Sequence, residues 1–230
     1  MCSSDLEAIV YPPASTPVGA KAPLVLAFHG HGDTADNYQG VALHEEWPQA
    51  LVVYPQGLDS PRDGAPGWQV EKGKEDDRDL KLVDQMLISL RKQFSVDDAR
   101  IYATGFSNGA NFTYLLWAER PNVFAAYAPV AARILPSVHL TVPKPVLHIG
   151  GTADHQIEFS DQKEAIAAAM RTNGAPAKGT ECGPYCNLYE SEPRASVMTV
   201  LHPGGHTYPR GTSRVIVVFF RKHNLTAPPH

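Results

Sequence analysis

Cysteine is scarce in this chain: three among 230 residues, at Cys2, Cys182 and Cys186. Without paired His or Cys ligands nearby they make no zinc site. Long apolar runs are absent too. A run such as 215–220 (VIVVFF) falls far short of the roughly 18 to 20 residues that cross a bilayer, so no membrane partner is expected. No block of Lys and Arg stands out, and the formal net charge is −4. That argues against nucleic acid or an anionic membrane surface as a partner. No secretory leader is visible. Met1-Cys2-Ser3-Ser4-Asp5-Leu6 reads as a translated sequencing-adapter tail, a non-native scar from a DNA library. Residues 7–230 are then expected to form one domain, with any export signal and first strand lost upstream.

Apolar residues make up 43% of the chain, enough for one sizeable core. Short continuous apolar runs at Ala8–Tyr11, 24–28, 51–54, 101–104, 125–130, 146–149 and 197–201 end at Gly, Pro or polar residues. Runs apolar on both faces suit a parallel sheet covered on each side. Between them lie helical patterns. In 79–94 the apolar positions step by three and four; 108–119 follows a Gly-rich turn; 158–171 is Ala-rich and stops near Asn173-Gly174. Residues 212–223 read as a last helix, with a strand as the alternative. The alternation predicts an α/β fold with a mostly parallel, doubly wound sheet and helices on both faces. The polar stretch 59–79 reads as a long surface loop.

The most specific segment is Gly105-Phe106-Ser107-Asn108-Gly109, between a strand run and a helix. A serine on so sharp a strand-to-helix turn stands clear of the sheet, and only glycine fits two residues to either side. Ser107 is the candidate nucleophile. A serine hydroxyl needs a base, and the base needs an orienting acid. Asp154 follows the run 146–149 through Gly150-Gly151-Thr152-Ala153, and His206 follows 197–201 through His202-Pro203-Gly204-Gly205. That gives the order Ser, Asp, His with each residue past a strand end. Asp161 and Glu158 are rivals for the acid and His202 for the base; Asp154 also suits a turn or helix cap. The run 24–28 leads into His29-Gly30-His31-Gly32. Backbone N–H groups of His31 and Asn108 are the candidate oxyanion donors.

The segments PLVLAFHGHG (23–32), YATGFSNG (102–109), GTAD (151–154) and GGHTYP (204–209) resemble the esterase group of the α/β-hydrolase superfamily that contains polyhydroxybutyrate depolymerases and feruloyl esterases. The resemblance runs from about Ala8 to about His223. It implies an α/β-hydrolase fold, a cofactor-free acyl-enzyme mechanism and secretion or periplasmic export. It also implies hydrolysis of feruloyl or aryl, acetyl or short-chain esters, small or polymeric. Tyr208 stands where the group usually carries Trp, so it is taken as a substrate-binding position with an altered acyl pocket.

Only residues 131–144 separate two strand runs, so no lid domain is expected there. Trp68 reads either as an aromatic cleft wall or as a loop aromatic packed on the core. The acidic run 75–79 reads as a solvated loop and helix N-terminus rather than a calcium site, so no metal is expected. Gly183-Pro184 favours a turn that brings Cys182 and Cys186 within disulfide range, as an exported chain would allow. A monomer is expected. Two alternatives stay open: a serine peptidase on the same fold, and a non-catalytic polysaccharide-binding relative.

Overall fold

The computed structural model describes residues 7–14, 19–191 and 195–225. The suspected adapter tail, residues 1–6, lies outside them. In chain order the elements are β1 (Ala8–Tyr11), β2 (Ala22–Phe28), one-turn helices α1 (Ala35–Tyr38) and α2 (Leu43–Glu46), β3 (Leu51–Pro55), a minimal ladder of β4 (Leu58–Asp59) with β5 (Pro66–Gly67), α3 (Arg78–Gln93), β6 (Val96–Phe106), α4 (Asn108–Glu119), β7 (Ala126–Val130), β8 (Val146–Gly151), α5 (Phe159–Asn173), β9 (Thr180–Gly183), β10 (Cys186–Tyr189), β11 (Val197–His202) and α6 (Thr212–Phe220).

The main sheet runs β1-β3-β2-β6-β7-β8-β11-β10-β9. Its six strands from β3 to β11 are parallel. β1 and the β9–β10 hairpin extend it by antiparallel pairing. Every residue of β2 is buried, as a central strand covered on both faces requires. Its side chains alternate between two cores. Leu24, Leu26 and Phe28 join α3, α4 and α5 on one face. Val25 and Ala27 join α1, α2 and α6 on the other.

From β2 the chain steps outward to β3, then crosses back to β6 on the other side of β2 and continues through β7, β8 and β11. The winding therefore reverses between β2 and β6. The carboxyl ends of those strands open a crevice, the usual ligand position in an open α/β sheet.

The region 212–223 resolves as helix because Ser213, Ile216, Val217 and Phe220 fall on one buried stripe. The β9–β10 hairpin was not anticipated. It is an exposed edge, held in part by main-chain pairing to β11, and carries no apolar run. Cys182 and Cys186 are disulfide-bonded across it, with Cα atoms 5.1 Å apart.

The stretch 59–79 is more ordered than a solvated loop. Buried Gln69 donates from its side-chain amide to Glu71 O and Asp77 Oδ1, and accepts from the Asp79 N–H. Asp79, in the first turn of α3 as the acidic run suggested, is fully buried, and its Oδ2 accepts from the Gln69 N–H at 2.6 Å. Its Oδ1 has no hydrogen-bond partner among the described residues, with Arg78 Nε 3.6 Å away. Burial pushes the Asp79 carboxyl up to about 6, against the pull of the Gln69 N–H and of Arg78. A carboxyl raised in the folded state binds its proton more tightly there than when unfolded. Its contribution to stability is therefore full below the unfolded value of 3.8 and declines as pH rises through about 6. Asp79→Asn abolishes that decline. The melting-temperature difference, variant minus parent, is expected to grow more positive from pH 4 to pH 7. Parallel thermal melts check this, and a difference independent of pH would refute it.

Candidate active site

Ser107 sits between β6 and α4 at φ 55° and ψ −115°, a strained conformation for a residue with a side chain. The tightness of the turn explains its glycines. A Cβ on Gly109 would lie 2.2 Å from Phe28 O and 2.5 Å from His29 O; one on Gly105 would lie 2.5 Å from the Gly109 carbonyl. The Ser107 N–H donates to Val130 O on β7, which fixes the turn against the sheet.

His206 arrives from the loop after β11. That loop is bonded to the one after β8: the Thr152 N–H donates to His202 O and the Ala153 N–H to Gly204 O. Asp154 and His206 are thereby brought side by side. His206 Nδ1 lies 2.8 Å from Asp154 Oδ2, and its Nε2 lies 2.8 Å from Ser107 Oγ. An ionised carboxylate only accepts, so Nδ1 carries the ring proton and Nε2 accepts from the serine hydroxyl. Phe106 packs against the imidazole, ring centroids 4.9 Å apart.

Asp154 is 1% exposed. Its Oδ1 accepts from the Gln156 and Ile157 N–H groups; its Oδ2 accepts from Gln162 Nε2 at 2.9 Å as well as from His206. Burial pushes its carboxyl up, but the hydrogen bonds from His206, Ile157 and Gln156 outweigh that and hold it below the ordinary value. The carboxylate therefore stays charged at neutral pH. The rivals lie elsewhere. Asp161 faces Arg133, and Glu158 precedes α5 with an exposed side chain. His202 ends β11 with Nδ1 accepting from the Gly204 N–H.

The N–H groups of His31 and Asn108 find no acceptor among the described residues. The His31 ring turns outward to Asp63, 3.0 Å away. Behind this loop, His29 is buried. Its Nε2 accepts from the Gly57 N–H, so Nδ1 is the donor to Gly30 O.

A cleft of about 650 Å³ opens beside Ser107, with His31, Trp68, Asn108, Asn111 and Arg133 among its walls. Trp68 is mostly core. It is 4% exposed, stacks on Phe112, and donates from Nε1 to His29 O. Tyr208 is not brought to that cleft. It lines a separate hollow of about 430 Å³ with Tyr38 and Phe106, and its hydroxyl bonds Ser213 Oγ.

Two features escaped the sequence reading. The Asn108 side chain grips the Trp68 backbone twice, accepting from its N–H at 2.7 Å and donating to its O at 3.0 Å. Gln162 and, behind it, buried His148 and Tyr114 back the Asp154 carboxylate. The available signal was a histidine inside the otherwise apolar run 146–149.

Residues 34–179 match the dienelactone hydrolase family. The chain belongs to that family. It is 30% identical over 155 residues to the bifunctional acetylxylan esterase/xylanase XynS20E of Neocallimastix patriciarum, covering 65% of this chain and 22% of that protein. It is 33% identical over 135 residues to poly(3-hydroxyalkanoate) depolymerase C of Paucimonas lemoignei, covering 55% and 31%. The putative esterase NocK of Nocardia uniformis subsp. tsuyamanensis is 28% identical over 235 residues, covering 83% and 66%. The chain thus spans under a third of the first two relatives and about two thirds of the third. Among solved structures, the Bacillus cereus carboxylesterase superposes with a TM-score of 0.70 at 18% identity, covering 96% of this chain and 95% of that one. Acetyl xylan esterase from Aspergillus awamori gives 0.68 at 17%, covering 94% of each. The α/β-hydrolase architecture is the shared feature.

The close approach at the turn gives a direct test. Gly109→Ala drives a methyl into the carbonyl oxygens of Phe28 at the end of β2 and His29 just after it, and backbone has little room to yield. Overpacking of this kind costs about 3 kcal/mol or more, a drop in melting temperature of roughly 6 °C or more for a chain this size. Differential scanning calorimetry measures it; a melting temperature equal to the parent's would show that the turn is looser than described.

Proposed function

We propose that the protein is a carboxylic-ester hydrolase acting through an acyl-enzyme on Ser107, with His206 as general base and acid and Asp154 as its orienting carboxylate. One observation carries the reading: two 2.8 Å contacts join serine, imidazole and a buried carboxylate at a strained strand-to-helix turn. His206 Nε2 takes the Ser107 proton as Oγ attacks the ester carbonyl. The ester carbonyl oxygen becomes an oxyanion facing the His31 and Asn108 N–H groups, fixed donors that need no reorganisation as charge develops. The tetrahedral intermediate collapses, and the imidazolium returns its proton to the departing alcohol. Water then attacks the acyl-enzyme by the same route, releasing the acid and restoring the serine. The reaction consumes only ester and water.

The relatives named for acetylxylan and poly(3-hydroxyalkanoate) chemistry support esters with small or short acyl groups. A relative named feruloyl esterase B, from Piromyces equi, supports aryl acyl groups. The open cleft beside Ser107 suits either, and accommodates an ester carried on a polymer. The Cys182–Cys186 bond favours an oxidising compartment, in line with export.

Ser107→Ala is expected to lower kcat/KM on an aryl acetate by at least about 1,000-fold and to abolish covalent labelling by a fluorophosphonate. Activity within about tenfold of the parent's would overturn the assignment. Asp154→Asn, which favours the wrong imidazole tautomer, is expected to cost on the order of 10,000-fold in kcat with KM little changed.

A further inference from the structure

Behind the Asp154 carboxylate a buried polar chain runs into the sheet, and the hydrolase mechanism has not used it. Gln162 is fully buried on α5. Its Nε2 donates at 2.9 Å both to Asp154 Oδ2 and to Ile157 O. With both amide hydrogens so engaged, Oε1 is left to accept, and His148 Nε2 faces it at 3.4 Å. His148, 1% exposed on β8, has its Nδ1 2.9 Å from the hydroxyl of buried Tyr114 on α4.

These contacts admit one consistent set of directions. Oε1 cannot donate, so His148 Nε2 carries the ring hydrogen; Nδ1 then accepts from the Tyr114 O–H. Tyr114 donates to His148, His148 to Gln162, and Gln162 to Asp154, while Ser107 donates to His206 and His206 to Asp154 from the other side. Both lines of donation end on one buried carboxylate. Burial holds His148 down to about 4, against the pull of Gln162, so it is neutral at working pH and its proton stays where this order needs it. The backbone is shaped to the same end. A Cβ on Gly150 would lie 2.0 Å from Gln162 Oε1 and 3.3 Å from His148 Nε2, so a side chain there displaces the amide.

We propose that Gln162, locked by His148 and Tyr114, is a positioning residue of the site: its N–H holds the Asp154 carboxylate in place and tempers the negative charge that His206 meets. The inference rests on the hydrolase reading for its effect on rate. A donor on Oδ2 withdraws charge from the oxygen that binds His206 Nδ1. Removing the donor leaves the carboxylate more negative, which favours the protonated imidazole and moves its titration to higher pH. The titratable groups around the pair are Asp154, His206, His148 and His202; burial holds the last below its ordinary value, against the pull of Asp154.

Two variants separate this role from simple packing. Gln162→Met keeps length and volume but removes the donor. Gln162→Glu keeps the shape and the acceptor for His148 but sets a second carboxylate against Asp154. On an aryl acetate, Gln162→Met is expected to lose about tenfold in kcat with KM changed less than about threefold. The acid limb of its kcat/KM profile should move to higher pH by about half a unit or more. Gln162→Glu, which sets a second negative charge beside Asp154, should move the limb further in the same direction. NMR titration of the His206 imidazole, assigned by its loss in His206→Asn, should move to higher pH in both variants, further in Gln162→Glu. Folded variants with lowered melting temperatures, an unmoved acid limb and an unmoved His206 titration would overturn the proposal and leave Gln162 a packing residue. Should Gln162→Met not fold, Gln162→Glu carries the test. Should the parent fail to hydrolyse esters or to label at Ser107, the hydrolase reading falls, and the His206 titration still decides whether Gln162 acts on Asp154.

Discussion

A carboxylate taken out of water loses hydration worth several kcal/mol, and the fold must replace it with hydrogen bonds. Asp154 sets that demand at the carboxyl edge of the sheet. Two main-chain N–H groups of the 154–157 turn, one amide hydrogen of Gln162 and one imidazole hydrogen of His206 meet it. These donors fix three elements: the turn after β8, helix α5, and the loop after β11. The loops after β8 and β11 are stitched together by their own backbone bonds before either side chain is placed. The imidazole is therefore held by its loop as well as by the acid, and its free nitrogen has one direction to face, that of Ser107.

The serine comes from the same half of the winding, three strands in from the histidine's. β6 is the first strand after the chain crosses back over β2, so Ser107 emerges at the point where the winding reverses. The loop after β2, with His29 and His31, lies immediately beside it. Close approach of α4 to β2, possible only because residue 109 has no side chain, makes those two loops neighbours. One backbone constraint thus places the strained serine and the facing N–H groups together.

Much of this was legible in the sequence for a definite reason. Parallel strands covered on both faces show as unbroken apolar runs, and the segments that end them carry Ser107, Asp154 and His206. What stayed hidden has physical causes too. The β9–β10 hairpin is an edge pair stabilised by main-chain bonds and a disulfide, so it leaves no apolar signature. The stretch 59–79 looks solvated because its residues are polar, yet its order comes from Gln69 and Asp79 satisfying each other's backbone, a pairing no periodicity reveals. Gln162 reads as solvent-facing on a helix because glutamine is usually exposed; only the neighbouring histidine of β8 betrays a polar interior. Trp68 and Tyr208 show the limit of assigning aromatics by position. Indole and phenol rings bury large areas whatever else they do, so an aromatic near a catalytic loop is equally at home in the core, where Trp68 mostly lies, or in an adjoining hollow, where Tyr208 lies.

The grip of Asn108 on the Trp68 backbone gives the cleft a further property. Asn108 is the residue whose N–H is proposed to meet the oxyanion, and its side chain holds the main chain of the loop that forms one cleft wall. That wall is tied to the oxyanion loop as well, through the Gly32 N–H to Pro66 O at 2.8 Å and the Trp68 indole to His29 O. Four bonds, two from Asn108 and two from the loop after β2, make wall and donor pair a single unit. Under the proposed mechanism, a substrate that pushed the wall outward would strain the same residues that must stay fixed for charge to be stabilised without reorganisation.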